Sequence, residues 1–486
     1  MQRLLVLFAL ASSQPMIAGP VPVQVATTDE PRYLAFQLFT SSPDTATPMG
    51  GERMLGPPPP PAEIDRFVVR LAQRIGSTGT PRRRLAIILG PLAFDQTDAQ
   101  VLALIASAFD IALRRGVAVG FHIDDAMYWG RRRSLVSDPR NVERTGWDGP
   151  LSTGRRLDWG PQPSRAPPQL CLNSPAVEAA VQSRGRLIGA AIGKGIDRLR
   201  RAGRADLFAG VIAGWESQIG RDFETGRSLG YCALANRGLR RGASVAALDQ
   251  GRINAVARFI GLWSGAIAAS GVDPSRIYSH IAFVPRSIFD PTQAAGRTYA
   301  ATTSFSPLAS AFGPGHRAGF STYPAPRMIE DIQSETRRRG GAPWASAEGA
   351  NVALGGDPTP SGMTTETYLA RLFNHGAALV NLFGWGMGPP ANGFRQTTEG
   401  PEAIAAYRKF LSGAPLVEGP VRPSILQRLP AKIHRIQAQL PAWVSAHGDE
   451  ARVRRWMEAL DKALKANDLA TAEAQADALL ALLARN

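Results

Sequence analysis

The stretch Phe208–Glu216 has the sequence FAGVIAGWE, an apolar run that ends in a carboxylate and is followed by loop-like residues. The stretch Pro343–Glu348, PWASAE, repeats this pattern further along the chain. Short apolar runs bounded by turn residues are typical of strands buried on both faces of a parallel sheet. The carboxyl ends of such strands lie at one edge of the sheet. We therefore predict that Glu216 and Glu348 lie at the same edge of one sheet.

Six further apolar runs extend this pattern in both directions along the chain. The eight predicted strands are Tyr33–Phe39, Leu85–Gly90, Ala118–Asp124, Phe208–Glu216, Ile277–Phe283, Gly319–Tyr323, Pro343–Glu348 and Ala378–Trp385. Helical patterns separate them, at Pro61–Arg74, Asp98–Arg114, Ser174–Arg201, Asp249–Ser270, Met328–Arg338 and Thr365–His375. Strands that alternate with helices imply an α/β fold, and eight such units fit a (β/α)8 TIM barrel. A doubly wound open sheet is the alternative, but no G-x-G-x-x-G fingerprint follows the first strand.

The N-terminal segment has the pattern of a signal peptide. A single positive charge at Arg3 precedes a short apolar run, Leu4–Ala11, and small and polar residues follow. That run is too short to span a bilayer. We predict a signal peptide over residues 1–19 and hence a periplasmic or secreted protein. An uncleaved membrane tether is the alternative.

Two domains are expected after the signal peptide. The TIM barrel is predicted over residues 30–415, and the linker GPVRPS then leads into a segment with a purely helical pattern. Residues 420–486 are predicted to form a C-terminal helical hairpin or bundle that takes no part in catalysis. No segment after the signal peptide has the roughly 18 consecutive apolar residues of a membrane span.

The charge of the chain is strongly positive. Its 55 basic and 40 acidic side chains give a formal net charge of +15. An exported protein with this charge favours anionic glycans, nucleic acid or the envelope surface as partners. The sequence has no RNA-binding motif, no helix-turn-helix pattern and no basic stretch interleaved with aromatic residues. We therefore expect a carbohydrate partner, with an anionic glycan favoured by the charge, and no nucleic acid.

Two long connections follow the third and fourth predicted strands, over residues 125–173 and 217–247. Loops of this length are usually functional or disordered, and these two are expected at the same edge as the two glutamates. Each carries one of the two cysteines, Cys171 and Cys232. In an oxidising compartment the two can form a disulfide; two buried free thiols are the alternative.

Polar and aromatic side chains collect at the ends of the other predicted strands. Alternate residues of a strand share a face, so His122 and Asp124 project together, with Asp125 at the following turn. A barrel interior built only for stability favours Val, Ile and Leu at such positions. The candidate substrate-binding residues are His122, Asp124, Asp125, Trp215, His280, Tyr323 and Trp385.

These positions resemble the clan A glycoside hydrolases, which are TIM-barrel retaining enzymes. In that clan a glutamate at the end of the fourth strand is the general acid/base and one at the end of the seventh is the nucleophile. The resemblance implies these roles for Glu216 and Glu348. A tyrosine at the sixth strand and a tryptophan at the eighth match Tyr323 and Trp385. The clan usually has asparagine before the acid/base, where this chain has Trp215, so the exact family stays open.

The resemblance implies an exported glycoside hydrolase that cleaves a poly- or oligosaccharide without a cofactor, with retention at the anomeric carbon. An inverting enzyme uses the same pair of carboxylates at a wider separation. A metal-dependent carbohydrate deacetylase is a second alternative, because the histidine and aspartate cluster at the third strand and His280 have side chains that can bind a metal. The H-x-H motif typical of amidohydrolases is missing from the first strand, so no metal site is predicted. A non-catalytic barrel that binds envelope glycan and scaffolds partners is a third alternative.

Overall fold

The computed structural model describes residues 30–40, 57–124, 129, 132–157, 163–283, 306–324, 328–352, 361–386, 393–421, 425–448, 450–466 and 468–484. The predicted signal peptide lies outside these residues. The chain divides into two compact units. The larger one lies within Thr27–Pro358 and Thr364–Gly419, and the smaller one includes Pro420–Asn486.

Eight parallel strands form the sheet of the larger unit, and all eight correspond to predicted strands. We label them β1 to β8 in chain order. They are Arg32–Phe39, Arg83–Leu92, Ala118–Ile123, Phe208–Ala213, Ile277–Ser279, Gly319–Ser321, Trp344–Gly349 and Ala377–Leu382. Their residues are almost all buried on both faces, as near-continuous apolar runs require in a parallel sheet.

The sheet closes into a barrel. Strands β1 to β5 pair in parallel with their neighbours in chain order, as far as the pair β4–β5. Strands β6, β7 and β8 pair in the same way, and β8 pairs back onto β1. Parallel bridges join the remaining neighbours, β5 and β6, at Tyr278–Arg317 and Ile281–Phe320. The predicted (β/α)8 TIM barrel is therefore confirmed, and the alternative of an open sheet is wrong.

Helices separate the strands at the places where the apolar periodicity predicts them. The α-helices of the larger unit are Pro61–Ile75, Asp98–Arg115, Arg133–Val136, Pro175–Arg201, Tyr231–Asn236, Val245–Ala268, Met328–Arg338, Thr365–Phe373, Gly393–Glu399 and Pro401–Leu411. Local sequence fixes several of their ends. Thr97 and Gln100 form a capping box at the start of Asp98–Arg115, and Gly116, with φ of 65°, ends that helix in the left-handed conformation.

Several strands end earlier than the sequence predicts. The fourth ends at Ala213 rather than Glu216, and the eighth ends at Leu382 rather than Trp385. The backbone turns out of the sheet at these points: Gly214 has a φ of 99°, and Gly384 has a φ of 95°. A positive φ is incompatible with a regular strand. The candidate side chains at these two ends therefore lie on the first residues of the loops.

The two long loops after β3 and β4 are tied to each other. In the first loop, Arg155–Leu157 and Ser164–Ala166 form a short antiparallel hairpin. The backbone of Arg155 forms an antiparallel β-bridge with the backbone of Asp222 in the second loop. Cys171 and Cys232 form a disulfide between the same two loops. Leu157 and Ala166 of the hairpin pack against Trp215, so this loop layer contacts the carboxyl edge of the barrel.

The smaller unit contains the three helices Ile425–His447, Glu450–Lys465 and Leu469–Leu483. They share an apolar core formed by Leu429, Ile436, Leu460, Ala463, Ala472, Ala476, Leu479 and Leu482. Outside this core, Glu473 accepts hydrogen bonds from Arg428 at 2.6 Å and Lys432 at 2.8 Å. None of the helices in the described ranges of the chain is both long and apolar enough to cross a membrane.

The capping box gives a test of the fold. The Gln100 backbone N–H donates to Thr97 Oγ1 at 3.2 Å, and the Thr97 N–H donates to Gln100 Oε1 at 2.8 Å. We expect Thr97→Ala to lower the free energy of unfolding by about 1 kcal/mol. The matched Thr97→Ser should keep most of it, because serine retains the hydroxyl. Equal denaturation midpoints for the two variants would contradict this account of the helix start.

Candidate active site

Glu216 lies just beyond the end of β4 and is 6% exposed. It has a φ of 53° and is the one residue other than glycine with a positive φ in the described part of the chain. Such a conformation costs on the order of 1–3 kcal/mol and persists where the surrounding structure enforces it. The Ser321 hydroxyl at the end of β6 donates to Glu216 Oε1 at 2.5 Å. The carboxyl is therefore held in one position.

Glu348 lies in β7, directly opposite Ser321 in the register between β7 and β6. It is 6% exposed. The Tyr323 hydroxyl donates to Glu348 Oε1 at 2.6 Å. The side chain of Trp215 also hydrogen-bonds to this carboxyl. Ser321 and Tyr323 stand two residues apart, so one strand end supplies a donor to each of the two glutamates.

Burial and mutual repulsion control the protonation of this pair. Burial raises the pKa of Glu216 to about 7 and that of Glu348 to about 8, and the charge of Glu216 adds to the shift at Glu348. The hydrogen bonds from Ser321, Tyr323 and Trp215 oppose these shifts because they stabilise the charged forms. Two carboxyls that interact this strongly titrate as a pair. At a pH between these two pKa values, the pair holds one proton and one negative charge.

Two histidines lie behind the glutamates. The Nε2 atom of His122 lies 3.0 Å from the carbonyl oxygen of Gly214 and 3.0 Å from Nδ1 of His280. Nε2 of His280 lies 2.9 Å from the Ser321 hydroxyl oxygen. Both histidines are fully buried. The structure therefore places them in contact with the support of Glu216, and the substrate contacts proposed for them from the sequence stay predictions.

The other sequence-predicted residues surround the pair to different extents. Trp215 is 4% exposed and stacks on His122 with ring centroids 4.0 Å apart. Trp385 is half-buried and meets Phe36 edge-on at 5.0 Å. Asp124 is fully buried at the end of β3. Asp125 lies outside the described residues, so its predicted role is not tested. The structure thus brings Glu216, Glu348, Trp215, His280 and Tyr323 into one contact network.

Sequence reasoning missed three residues of this network. Ser321 is the donor to Glu216, and it could have been found because it lies two residues before Tyr323 and so shares its face of the strand. Arg155 is 1% exposed, and its positive charge lowers the pKa of Glu216. Nothing in its local sequence distinguishes it from the other arginines. Gln37, whose side chain lies 3.2 Å from His122 Nδ1, is one polar residue in the apolar run of β1.

Of the residues weighed for a metal, the described ones, His122, Asp124 and His280, do not form a ligand set. Among the side chains that the structure describes, no group of three or more His, Cys, Asp or Glu is placed to hold a metal ion. His122 and His280 instead bond to each other and to Gly214 and Ser321. The chemistry that the described site can perform is therefore that of two buried carboxyls with hydroxyl and indole donors.

Solved structures similar to this chain include several glycoside hydrolases. A glycoside hydrolase family 5 enzyme from Prevotella bryantii B14 shares 9% identity over 81% of this chain and 100% of its own, with a TM-score of 0.37. A beta-galactosidase from Marinomonas ef1 shares 12% identity over 84% of this chain and 60% of its own, with a TM-score of 0.46. D-psicose 3-epimerase from Clostridium cellulolyticum H10 shares 9% over 78% and 99%, with a TM-score of 0.34.

In sequence, the chain matches no established protein-family profile and no curated protein. At these identities and TM-scores, the similar solved structures assign no activity to the chain. The reaction is therefore inferred below from the residues of the site.

The buried pair predicts how stability depends on pH. The pKa of each glutamate is raised above its ordinary value of 4.5, so their contribution to stability is greatest below about pH 4.5 and is lost as the pH rises through 7 to 8. Glu348→Gln removes one ionisable group. We expect its stability relative to the wild type to increase between pH 5 and pH 9 by roughly 3 kcal/mol.

Glu335→Gln is the matched control for this measurement. The pKa of Glu335 is lowered, because hydrogen bonds and charge from Arg338 and Arg339 outweigh burial. Its loss should destabilise the protein at neutral pH rather than stabilise it. Urea denaturation of the three proteins across this pH range checks the prediction. A constant difference between Glu348→Gln and the wild type would show that Glu348 is not held protonated by the fold.

Proposed function

We propose that the protein is a retaining glycoside hydrolase, with Glu348 as nucleophile and Glu216 as general acid/base. The observation that carries this proposal is the pair of buried, electrostatically coupled carboxyls at the carboxyl edge of a TIM barrel. Barrel enzymes keep their chemistry at this edge. Glycosidic bond cleavage needs one protonated and one ionised carboxyl, and the coupling of this pair produces such a state.

The hydrogen bonds around the pair support the assignment of roles. Glu348 accepts hydrogen bonds from Tyr323 and Trp215, and two donors favour the charged form that a nucleophile requires. Glu216 has the Ser321 hydroxyl as its hydrogen-bond donor. Arg155 also favours a charged Glu216, but its effect on that pKa is smaller than that of Ser321. We therefore propose that in the reacting state the charge is on Glu348 and the proton on Glu216. This assignment follows the hydrogen-bond donors and reverses the order of the raised pKa values, about 7 for Glu216 and about 8 for Glu348.

The reaction then follows in two displacements. The carboxylate of Glu348 attacks the anomeric carbon as Glu216 gives its proton to the departing glycosidic oxygen, and a covalent glycosyl-enzyme forms. Glu216, now ionised, takes a proton from water, and the water oxygen attacks the same carbon and releases Glu348. Each carboxyl ends the cycle in its starting state. Partial burial and the charge of Glu348 raise the pKa of Tyr323, so its hydroxyl keeps its proton and stays a donor.

The substrate and the location belong to the same proposal. The half-buried ring of Trp385 offers a surface on which a sugar ring can stack, and the net charge of +15 favours an anionic poly- or oligosaccharide. Export is supported by the sequence pattern of the first 19 residues. The disulfide between Cys171 and Cys232 agrees with it, because disulfides persist in oxidising compartments.

The activity is tested with a panel of neutral and anionic oligosaccharides and aryl glycosides. On any substrate that the wild type cleaves, Glu216→Gln and Glu348→Gln should each lower kcat/KM by about 10³-fold. Both variants keep the size of the side chain, but Glu216→Gln loses the acid/base group and Glu348→Gln loses the nucleophile. Glu335→Gln, which alters a carboxylate in a helix, should keep the activity. Tight glycan binding with no cleavage, unchanged in both variants, would instead indicate a non-catalytic binding protein.

The stereochemistry tests the retaining mechanism. We expect the first sugar released, observed by ¹H NMR before mutarotation, to have the anomeric configuration of the substrate. Glu348→Ala with azide should produce a glycosyl azide of the opposite configuration, because azide enters from the face that Glu348 has left. Release of the inverted sugar by the wild type would assign Glu348 as the base of an inverting enzyme.

A further inference from the structure

A continuous line of polar contacts runs around the barrel interior to Glu216. The side-chain oxygen Oε1 of Gln37 in β1 lies 3.2 Å from Nδ1 of His122 in β3. Nε2 of His122 lies 3.0 Å from Nδ1 of His280, which follows β5. Nε2 of His280 lies 2.9 Å from Ser321 Oγ, and Ser321 Oγ lies 2.5 Å from Glu216 Oε1. Four strands thus supply the groups that lead to one carboxyl oxygen.

Two backbone groups are used to assign the tautomers of this line. The carbonyl oxygen of Gly214 lies 3.0 Å from His122 Nε2, a shorter contact than the 3.2 Å between Gln37 Oε1 and Nδ1, and we assign the hydrogen of His122 to Nε2. The backbone N–H of Glu216 donates to His280 Nδ1 at 3.4 Å, and we assign Nδ1 as the acceptor. Burial lowers the pKa of both rings, that of His280 to about 3, and a neutral ring carries one hydrogen. The hydrogen of His280 is therefore on Nε2.

The direction of the last two hydrogen bonds follows from this tautomer. His280 Nε2–H donates to Ser321 Oγ. The Ser321 hydroxyl can then no longer donate to His280, and its own hydrogen is directed to Glu216 Oε1. An oxygen that accepts such a hydrogen bond is the poorer site for a proton. The transferable proton of Glu216 is therefore left to Oε2.

The packing around His122 holds the line in place. Its ring stacks on Trp215 with an angle of 2° between the planes. On the opposite side, a Cβ atom on Gly90 would lie 2.6 Å from Cβ of His122 and 3.1 Å from the amide nitrogen of Gln37. Contacts closer than 3.0 Å force neighbouring atoms to move, so only glycine at this position leaves His122 where it meets His280.

We propose that His280, held by His122, is a positioning residue that directs the Ser321 hydroxyl to Glu216 Oε1, so that Oε2 carries the proton that is transferred. The proposal rests on the role of Glu216 as general acid in the proposed function. It adds that the acid is oriented by a one-way line of hydrogen bonds. Neither histidine exchanges a proton with the substrate.

Other charged groups also act on the glutamates, and the variants leave them in place. Glu348 repels Glu216, Arg155 attracts it, and Tyr323 lies within electrostatic reach of both glutamates. The charge of His280 lowers the pKa of His122. Ser321→Ala removes the hydrogen bonds of the hydroxyl to His280 and to Glu216 and removes no charge. A change in the titration of Glu216 in that variant is therefore caused by the lost hydroxyl.

The first arm of the test is kinetic and uses the full-length enzyme. Ser321→Ala should lower kcat by about tenfold with KM nearly unchanged. It should also move the alkaline limb of the pH–rate profile upward by about one pH unit, because the lost hydrogen bond favoured the ionised acid. Ser321→Thr keeps a hydroxyl and should restore the wild-type profile. His280→Gln, which keeps an N–H near the Nε2 position, should retain more activity than His280→Ala.

Ser346→Ala is the matched control for these variants. Ser346 is a fully buried serine of β7 whose hydroxyl lies 2.6 Å from that of Thr322. Removing this hydroxyl should leave both limbs of the profile in place. A Ser321→Ala profile that coincides with that of Ser346→Ala would overturn the proposal.

The second arm needs no substrate and is independent of the proposed function. ¹⁵N NMR of the histidine rings should show His280 as the neutral Nε2–H tautomer. ¹³C NMR of the glutamate carboxyls should show the Glu216 titration moving to higher pH in Ser321→Ala. Two results would overturn the proposed line of hydrogen bonds even in an active enzyme. One is an Nδ1–H tautomer of His280, and the other is a Glu216 titration that Glu348→Gln moves and Ser321→Ala does not. If both results are as expected but no glycan is cleaved, the line of hydrogen bonds is supported and the proposed glycoside hydrolase activity is contradicted.

Discussion

The repulsion between two carboxyls buried in one site is the constraint on which the rest of this site depends. Glu216 and Glu348 are each 6% exposed, so water cannot screen them, and burial favours their neutral forms. The first ionisation makes the second harder, which separates one protonated group from one charged group. In the proposed mechanism, the donors around the pair place the charge on Glu348 and the proton on Glu216. Tyr323 and Trp215 stabilise charge on Glu348, and the hydroxyl of Ser321 fixes one oxygen of Glu216.

This constraint also explains the features of the backbone near the pair. A carboxyl can be enclosed at a strand end only if the chain turns sharply there and something covers it. Gly214 and Glu216 both have positive φ values, and they turn the chain out of β4 so that the carboxyl returns towards Ser321. The hairpin of the first long loop covers the neighbouring Trp215 through Leu157 and Ala166. Strain at Glu216 and the loop layer thus serve the same enclosure.

The sequence predicts the barrel well because its strands are local features. Each of the eight is an apolar run bounded by turn residues, and the two glutamates stand at the ends of two such runs. The line of hydrogen bonds that leads through the two histidines to Glu216 could not be predicted in this way. His122 lies in β3 and His280 follows β5, and the assignment of their hydrogens depends on the backbone of Gly214 and Glu216. Arg155 likewise reaches the site because it lies in a hairpin and forms a backbone β-bridge with Asp222. No local periodicity of the sequence encodes these pairings.

Trp215 shows why an apparent departure from a family pattern can be part of a working site. Its side chain hydrogen-bonds to Glu348, and its ring face lies 4.0 Å from that of His122. The residue before the proposed acid therefore contacts both the proposed nucleophile and the histidine line that orients the acid. An asparagine at this position could supply a hydrogen bond, but it has no ring to stack on a buried imidazole. The tryptophan and the two histidines are thus best understood as one unit, in which the support of each carboxyl depends on the other.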